Sequence, residues 1–140
     1  MGLDEAMTGA VVAGIGFRRS TGADEIVALI VRALGLVGAD ESDLAVVATA
    51  ADRAVEPAIR DAAASFGLSP CPVAAEALEA RDGQVVTRSA RIEGLRGVGS
   101  LAEAAALAAA GPESRLALPR IASSGATCAL AVRPTPNLEP

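Results

Sequence analysis

The sequence predicts an α/β fold: a three-layer α/β/α single domain with a mostly parallel or mixed sheet of about five strands. Two observations carry this prediction. Short apolar runs alternate along the chain with segments whose apolar residues recur at helical spacing, which is the pattern of βα units. The length of 140 residues also suits one domain with one core. We assign the domain to residues 1–133 and expect a flexible tail over residues 134–140.

The first βα unit begins with a continuously apolar run over residues 11–17. Such a run is expected of a strand that is buried on both faces at the centre of a sheet. Thr21 and Asp24 have the spacing of a helix start signal, and apolar residues then recur at helical spacing as far as the stop signal at Gly35.

A second unit follows in the same order. Residues 44–50 predict another buried strand. Pro57 then opens a helix at the position where proline is favoured, and Gly67 ends it. Between residues 68 and 99 we expect a long functional loop with one short helix over residues 74–81, because prolines and the Asp82-Gly83 turn interrupt the pattern.

The last part of the chain returns to regular structure. Ser100 and Glu103 form a capping box ahead of an alanine-rich helix that ends at Gly111. Residues 116–118 and 127–132 predict the last two strands.

Composition argues against several classes of function. The net charge is -5 and only two residues are aromatic, which does not suit nucleic-acid binding. The chain has no histidine and two widely separated cysteines, so we expect no metal site and no cofactor. We expect Cys128 to be a small buried hydrophobic residue. No signal segment and no apolar run of about 20 residues is present, so we expect a cytoplasmic protein without a membrane anchor. Whether the protein is an enzyme stays open.

The sharpest local feature is a glycine-containing turn between the first strand and the first helix. It holds Gly14, Gly16, Arg18, Arg19 and Thr21. Backbone N–H groups at a helix N-terminus and guanidinium groups favour anions, so the turn is predicted to bind a carboxylate or a phosphate. It is neither a dinucleotide fingerprint nor a P-loop, since the third glycine and the Gly-Lys-Ser/Thr signature are missing. The alternative is a tight turn with two solvated arginines.

That turn is also the first of four blocks in which the chain resembles the CobE/CbiG C-terminal domain family of cobalamin biosynthesis proteins, in its stand-alone, CobE-like form. The blocks follow in the family's order at residues 14–21, 48–59, 97–109 and 118–131. Arg53 and Arg120 stand where the family has lysine. This keeps the charge but excludes Schiff-base chemistry at either position.

The resemblance implies a ligand that is an apolar macrocycle rimmed by carboxylates, which needs an apolar slot and several anion clamps. The ligand-binding residues that it implies are Gly14, Gly16, Arg18, Arg19, Thr21, Arg53, Ser100, Glu103, Arg120 and Thr127. Some of them have simpler explanations, because Ser100 and Glu103 suit helix capping and Thr127 suits a strand.

Three functions remain open. The resemblance implies a cobalamin biosynthesis protein that binds a precorrin or corrin intermediate and hands it over or helps to process it, with other corrin biosynthesis enzymes as further partners. The second function is a hydrolase that opens a lactone of a precorrin intermediate, with Glu103, Glu56 or Asp52 as general base. The third is a regulatory domain that binds nucleotide phosphates at the glycine turn.

Overall fold

The computed structural model describes residues 10–133, and the first half of this range alternates between strand and helix as the sequence predicts. The strands are β1 (Val11–Phe17), β2 (Leu44–Ala50), β3 (Pro70–Val73), β4 (Arg115–Ala122) and β5 (Ala126–Val132). The helices are α1 (Ala23–Leu36), α2 (Pro57–Ala64), α3 (Ala75–Ala80), α4 (Ala90–Arg96) and α5 (Leu101–Ala110), with short 3₁₀ turns at Glu41–Asp43 and Asp82–Gln84. The predicted tail over residues 134–140 lies outside the described range.

The strands of the described range form one mixed sheet in the order β3-β2-β1-β5-β4. β1, β2 and β3 run parallel, whereas β5 is antiparallel to both β1 and β4. All residues of β1 are buried, which confirms the prediction of a central strand. Because β5 runs antiparallel, its first residues lie beside the last residues of β1, with Thr127 opposite Gly16. The β4–β5 hairpin turn therefore lies at the carboxyl end of the parallel strands.

Helices cover both faces of the sheet, as the three-layer prediction requires. On one face, Ile26 and Ile30 of α1 and Ile59 of α2 pack on alternate residues of β1, such as Ile15. On the other face, α5 packs on β1, β2 and β5. Gly14 allows this packing, because a Cβ atom there would collide with the Ala102 carbonyl oxygen and lie 2.5 Å from the Ala106 nitrogen.

The expectation of a long loop over residues 68–99 is wrong. The short predicted helix is present as α3, but β3 precedes it and α4 follows it. β3 contains Pro70 and Pro72, and it lies at the edge of the sheet, where a missing N–H group is tolerated. Ser89 caps α4 by accepting a hydrogen bond from the Ile92 nitrogen.

Three local predictions also need correction. The predicted start signal of α1 does not act as a cap: Gly22 is the N-cap residue, and the Thr21 hydroxyl donates to the Gly125 carbonyl oxygen instead. β4 is longer than predicted, because it continues through Pro119 on the open edge of the sheet with irregular pairing to β5. Ser100 caps α5 as predicted, but the Glu103 carboxylate completes no capping box and turns to other donors.

Candidate ligand-binding site

A cavity of about 800 Å³ opens at the carboxyl end of the parallel strands. Three segments of the chain form its walls: the end of β1 with the turn that follows it, the β4–β5 hairpin turn, and helix α4. Ligands of open α/β sheets bind at this edge, outside the carboxyl ends of the strands. The structure brings the glycine turn, Arg53 and the segment before Ser100 together at this cavity.

Arginine dominates the polar lining of the cavity. Of the described residues that line it, five are arginines and none is acidic: Arg18, Arg19, Arg53, Arg91 and Arg120. The guanidinium groups of Arg18, Arg91 and Arg120 form no ion pair with any carboxylate within residues 10–133. These three groups are therefore available to a bound anion.

Arg53 is held more tightly than the other arginines. Its guanidinium carbon lies 4.3 Å from the centre of the Phe17 ring, and its Nε atom donates to Glu56 Oε2 at 2.5 Å. Only 14% of its side chain is exposed. Glu56 also lies 3.8 Å from Nη1 of Arg19, whose side chain is 85% exposed, and Glu56 itself does not line the cavity.

Apolar side chains share the lining with the arginines. Phe17 is the last residue of β1, Leu101 is the first residue of α5, and Ile92 and Leu95 come from α4. Leu95 is 65% exposed although it is a large hydrophobic residue. The cavity thus combines an apolar surface with several positive charges, which suits a ligand with an apolar body and carboxylates or phosphates on its rim.

Two small residues of the predicted ligand-binding set also line the cavity. They are Gly16 and Thr127, which face each other across β1 and β5. A Cβ atom on Gly16 would lie 2.7 Å from the Thr127 hydroxyl oxygen. The close approach of β5 therefore leaves no room for a side chain at position 16.

Glu103 lies behind the lining and is fully buried. From the described residues its carboxylate accepts four hydrogen bonds: from the Val86 nitrogen at 2.7 Å, the Thr87 nitrogen at 3.0 Å, the Thr87 hydroxyl at 2.7 Å and the Arg120 nitrogen at 2.9 Å. It therefore ties the segment that leads into α4 to the backbone of a cavity arginine.

These contacts decide the protonation state of Glu103. Burial by itself raises the pKa of this carboxyl, but the hydrogen bonds from Arg120, Thr87 and Val86 outweigh it and hold the pKa below its ordinary value. A carboxylate whose oxygens are already occupied, and whose pKa is low, is a poor general base. The geometry favours a structural role for Glu103 over the catalytic role considered from the sequence.

Gly14, Thr21, Ser100 and Asp52 do not line this cavity either. Gly14 lies under α5, Thr21 binds the hairpin turn, and Ser100 caps α5. Asp52 lines another cavity of about 480 Å³ near the ends of β2 and β3. The structure thus separates the three carboxylates considered as general bases from the arginine-lined cavity.

An ion-pair network anchors α4 at the mouth of the cavity. Arg88 binds Asp82 at 2.8 Å and Glu93 at 2.6 Å, and the Gly99 nitrogen donates to Asp82 at 2.8 Å. The hydrogen bonds from Gly99 and Arg88 hold the pKa of Asp82 below its ordinary value. Sequence reasoning missed Arg91 and the rest of α4, although Ser89 is a helix-capping residue and could have indicated a helix start.

The thiol of Cys128 is not a nucleophile. The residue is fully buried in the core, and burial raises its pKa to about 12. In the described part of the chain, no three His, Cys, Asp or Glu side chains lie close enough together to hold a metal ion. None of the helices over residues 10–133 has the length and apolar character to cross a membrane.

Comparison with known proteins agrees with the fold. The family described as "Cobalamin synthesis G C-terminus" matches residues 11–131. A curated relative, "Protein CobE" of Sinorhizobium sp, is 40% identical over 121 residues, which make up 86% of this chain and 79% of the relative.

Two solved structures resemble the chain closely. The crystal structure of CobE, described as a protein from the cobalamin (vitamin B12) biosynthetic pathway, has a TM-score of 0.84 and 31% identity over 90% of this chain and 92% of that one. The cobalamin biosynthesis protein chiG from Agrobacterium tumefaciens has a TM-score of 0.70 and 35% identity over 88% of this chain and 98% of that one. The chain therefore belongs to the cobalamin synthesis G C-terminal (CobE/CbiG) family and is a cobalamin biosynthesis protein.

Proposed function

We propose that the arginine-lined cavity binds a precorrin or corrin intermediate of the cobalamin pathway and passes it on without chemical change. The observation that carries this proposal is the lining of five arginines with no acidic residue among the described ones. An intermediate of this class has an apolar macrocycle and a rim of acetate and propionate carboxylates. The three guanidinium groups that have no ionic partner among the described residues, those of Arg18, Arg91 and Arg120, can each hold one such carboxylate.

The apolar part of the lining supports the same ligand class. Ile92 and Leu95 offer an apolar surface on which a macrocycle can lie, while arginines from separate segments surround it. A cavity of about 800 Å³ that is open to solvent can take one part of such a ring and leave the rest accessible. Partial enclosure suits a protein that delivers its ligand to other corrin biosynthesis enzymes.

The positions of the carboxylates favour binding over lactone hydrolysis. A general base must lie within hydrogen-bond reach of the attacking water. Asp52, Glu56 and Glu103 lie outside the cavity lining, and Glu103 has its oxygens occupied. The chain also has no histidine that could replace them.

The test is an anaerobic absorbance titration with hydrogenobyrinic acid, followed by mass analysis of the bound ligand. We expect saturable binding of an unchanged macrocycle, and much weaker binding of its methyl ester, which has no rim charges. Absence of a saturable spectral change would refute the proposal. A parallel anaerobic incubation with a precorrin mixture that contains lactone intermediates tests the alternatives: an altered macrocycle mass there would favour the hydrolase, and stabilisation by nucleotides instead would favour the nucleotide-phosphate function.

Single substitutions locate the site. Arg18→Ala, Arg91→Ala and Arg120→Ala each remove a guanidinium group that has no described ionic partner, so no carboxylate is left unpaired. Each should weaken binding about tenfold, which is the effect of one charge-assisted hydrogen bond. Arg32→Ala is the matched control, because Arg32 is exposed on α1, away from the cavity. Equal effects of all four substitutions would show that only net charge matters.

A further inference from the structure

The hairpin turn between β4 and β5 is fixed by a carboxylate that the sequence did not single out. Glu25 lies in the first turn of α1, and its Oε2 atom accepts hydrogen bonds from the Gly125 nitrogen at 2.7 Å, the Ser124 hydroxyl at 3.3 Å and the Ser123 hydroxyl. The hydrogen bonds from Ser123 and Gly125 lower the pKa of Glu25, so the carboxylate is charged at neutral pH. All three hairpin residues line the cavity.

The same turn is held from a second side. The Gly125 carbonyl oxygen accepts hydrogen bonds from the Arg18 nitrogen at 2.9 Å and from the Thr21 hydroxyl at 2.7 Å. A Cβ atom on Gly125 would collide with the Thr21 hydroxyl, so the approach requires glycine. The Gly125 carbonyl thus joins the hairpin to the turn that carries Arg18 and Arg19, and the Gly125 N–H group joins it to the first turn of α1.

We propose that Glu25 is a positioning residue for ligand binding: it holds the β4–β5 hairpin turn against the β1–α1 turn, so that the two walls keep Arg18 and Arg19 at the cavity. This inference rests on the proposed function, in that the ligand is the carboxylate-rimmed macrocycle. Glu25 itself does not line the cavity and need not touch the ligand.

Charge and position predict opposite effects of removing this carboxylate. Glu25→Gln removes one negative charge near five arginines, and on charge alone it should strengthen the binding of an anionic ligand. If Glu25 instead holds the walls together, the same substitution should weaken binding, because an uncharged amide oxygen in the place of Oε2 accepts these hydrogen bonds more weakly than a carboxylate oxygen does. The sign of the change therefore separates the two roles.

The experiment compares Glu25→Gln with Asp24→Asn, using hydrogenobyrinic acid as the probe. Asp24 is exposed on the same turn of α1 and has the same charge, so Asp24→Asn measures the effect of charge alone. We expect Glu25→Gln to raise the Kd about 3- to 10-fold, and Asp24→Asn to leave it unchanged or slightly lower. Thr21→Val, which removes the side-chain hydrogen bond to the Gly125 carbonyl without a change of charge, should also raise the Kd. A Kd that falls or stays constant in Glu25→Gln would overturn the proposal.

Hydrogen exchange of the ligand-free protein provides a readout that does not depend on the proposed function. In Glu25→Gln the amide protons of Gly125 and Arg18 should exchange faster, whereas those of the central strand β1 should keep their protection. Unchanged exchange at Gly125 would contradict the positioning role even if the macrocycle binds. Faster exchange at Gly125 in a protein that binds no macrocycle would refute the proposed function and leave the link between the two turns intact.

Discussion

Replacement of Glu103 by glutamine tests how the cavity is built. The carboxylate accepts hydrogen bonds at both oxygens: Oε1 binds the Val86 and Thr87 nitrogens, and Oε2 binds the Thr87 hydroxyl and the Arg120 nitrogen. Glutamine can place its carbonyl oxygen at Oε1 and keep the first two. Its NH₂ group then faces the N–H group of Arg120, and two donors cannot bond to each other.

The magnitude follows from these contacts. One hydrogen bond to a charged acceptor is worth about 1.5–3 kcal/mol, and a buried N–H group without an acceptor costs about 1–3 kcal/mol. The two terms overlap, and the loss of charge also weakens the bonds that remain. We therefore expect Glu103→Gln to lower the free energy of unfolding by about 2–4 kcal/mol, which is a large part of the roughly 5–15 kcal/mol of a typical domain.

Urea unfolding followed by far-UV circular dichroism measures this difference, since the chain has neither tryptophan nor tyrosine. Glu113→Gln is the control: it makes the same chemical change at an exposed residue just after α5. We expect the control to change the free energy of unfolding by less than about 0.5 kcal/mol. If Glu103→Gln has an effect as small as the control, the hydrogen bonds of Glu103 do not hold the cavity walls together.

Three further predictions follow from burial and packing. The pKa of Glu103 lies below its ordinary value of 4.5, so the free energy of unfolding should fall as the pH drops through and below 4.5. Urea unfolding across that range should show a less steep fall in Glu103→Gln. Gly14→Ala should destabilise the fold by more than about 2 kcal/mol, since the new Cβ meets the α5 backbone. Gly35→Ala has open space around the new Cβ and should stabilise the fold by up to about 1 kcal/mol. Thermal unfolding of the two variants measures both effects. Iodoacetamide should modify the half-buried Cys71 and leave the buried Cys128 intact in the native protein, as mass analysis of the peptides would show.

The sequence predicts the fold well where hydrophobic periodicity is strong. The bounds of β1 and β2 agree with the predicted runs, and Pro57 and Ser100 mark the starts of α2 and α5. Periodicity fails where packing is partial. β3 is a four-residue edge strand with two prolines. In α4, the large hydrophobic residue Leu95 is mostly exposed. Neither element has the pattern of a buried face.

For the candidate site, the sequence predicts which charged residues line the cavity better than it predicts what each residue does there. The resemblance implied that Arg18, Arg19, Arg53 and Arg120 are ligand-binding residues, and the structure places all four in one cavity lining. Gly14 was grouped with them because it lies in the same motif. Alternation along a strand puts it on the face under α5, where the close approach of helix backbone explains the glycine.

Residues that act through long-range contacts left no local signal. Glu25 and the Ser123–Gly125 turn are about 100 positions apart in the chain, and their contact exists only after β5 has paired with β1. The Glu103 carboxylate has the spacing of a capping box, but its donors come from segments 16 and 17 residues away on both sides. A motif that is complete within four residues cannot indicate such partners.

The acidic composition of the chain and its arginine-lined cavity have one explanation. Guanidinium groups gathered at one site repel each other, and carboxylates behind the lining offset this repulsion without blocking the ligand. Glu56 binds the side chain of Arg53, Glu103 binds the backbone of Arg120, and Glu25 binds the hairpin turn that faces the remaining arginines. Each carboxylate is turned towards the protein, so that the negative charge supports the walls and the positive charge faces the cavity. A net charge of -5 therefore says little about the ligand, because the position of each charge, and not the total, determines the field that a bound anion meets.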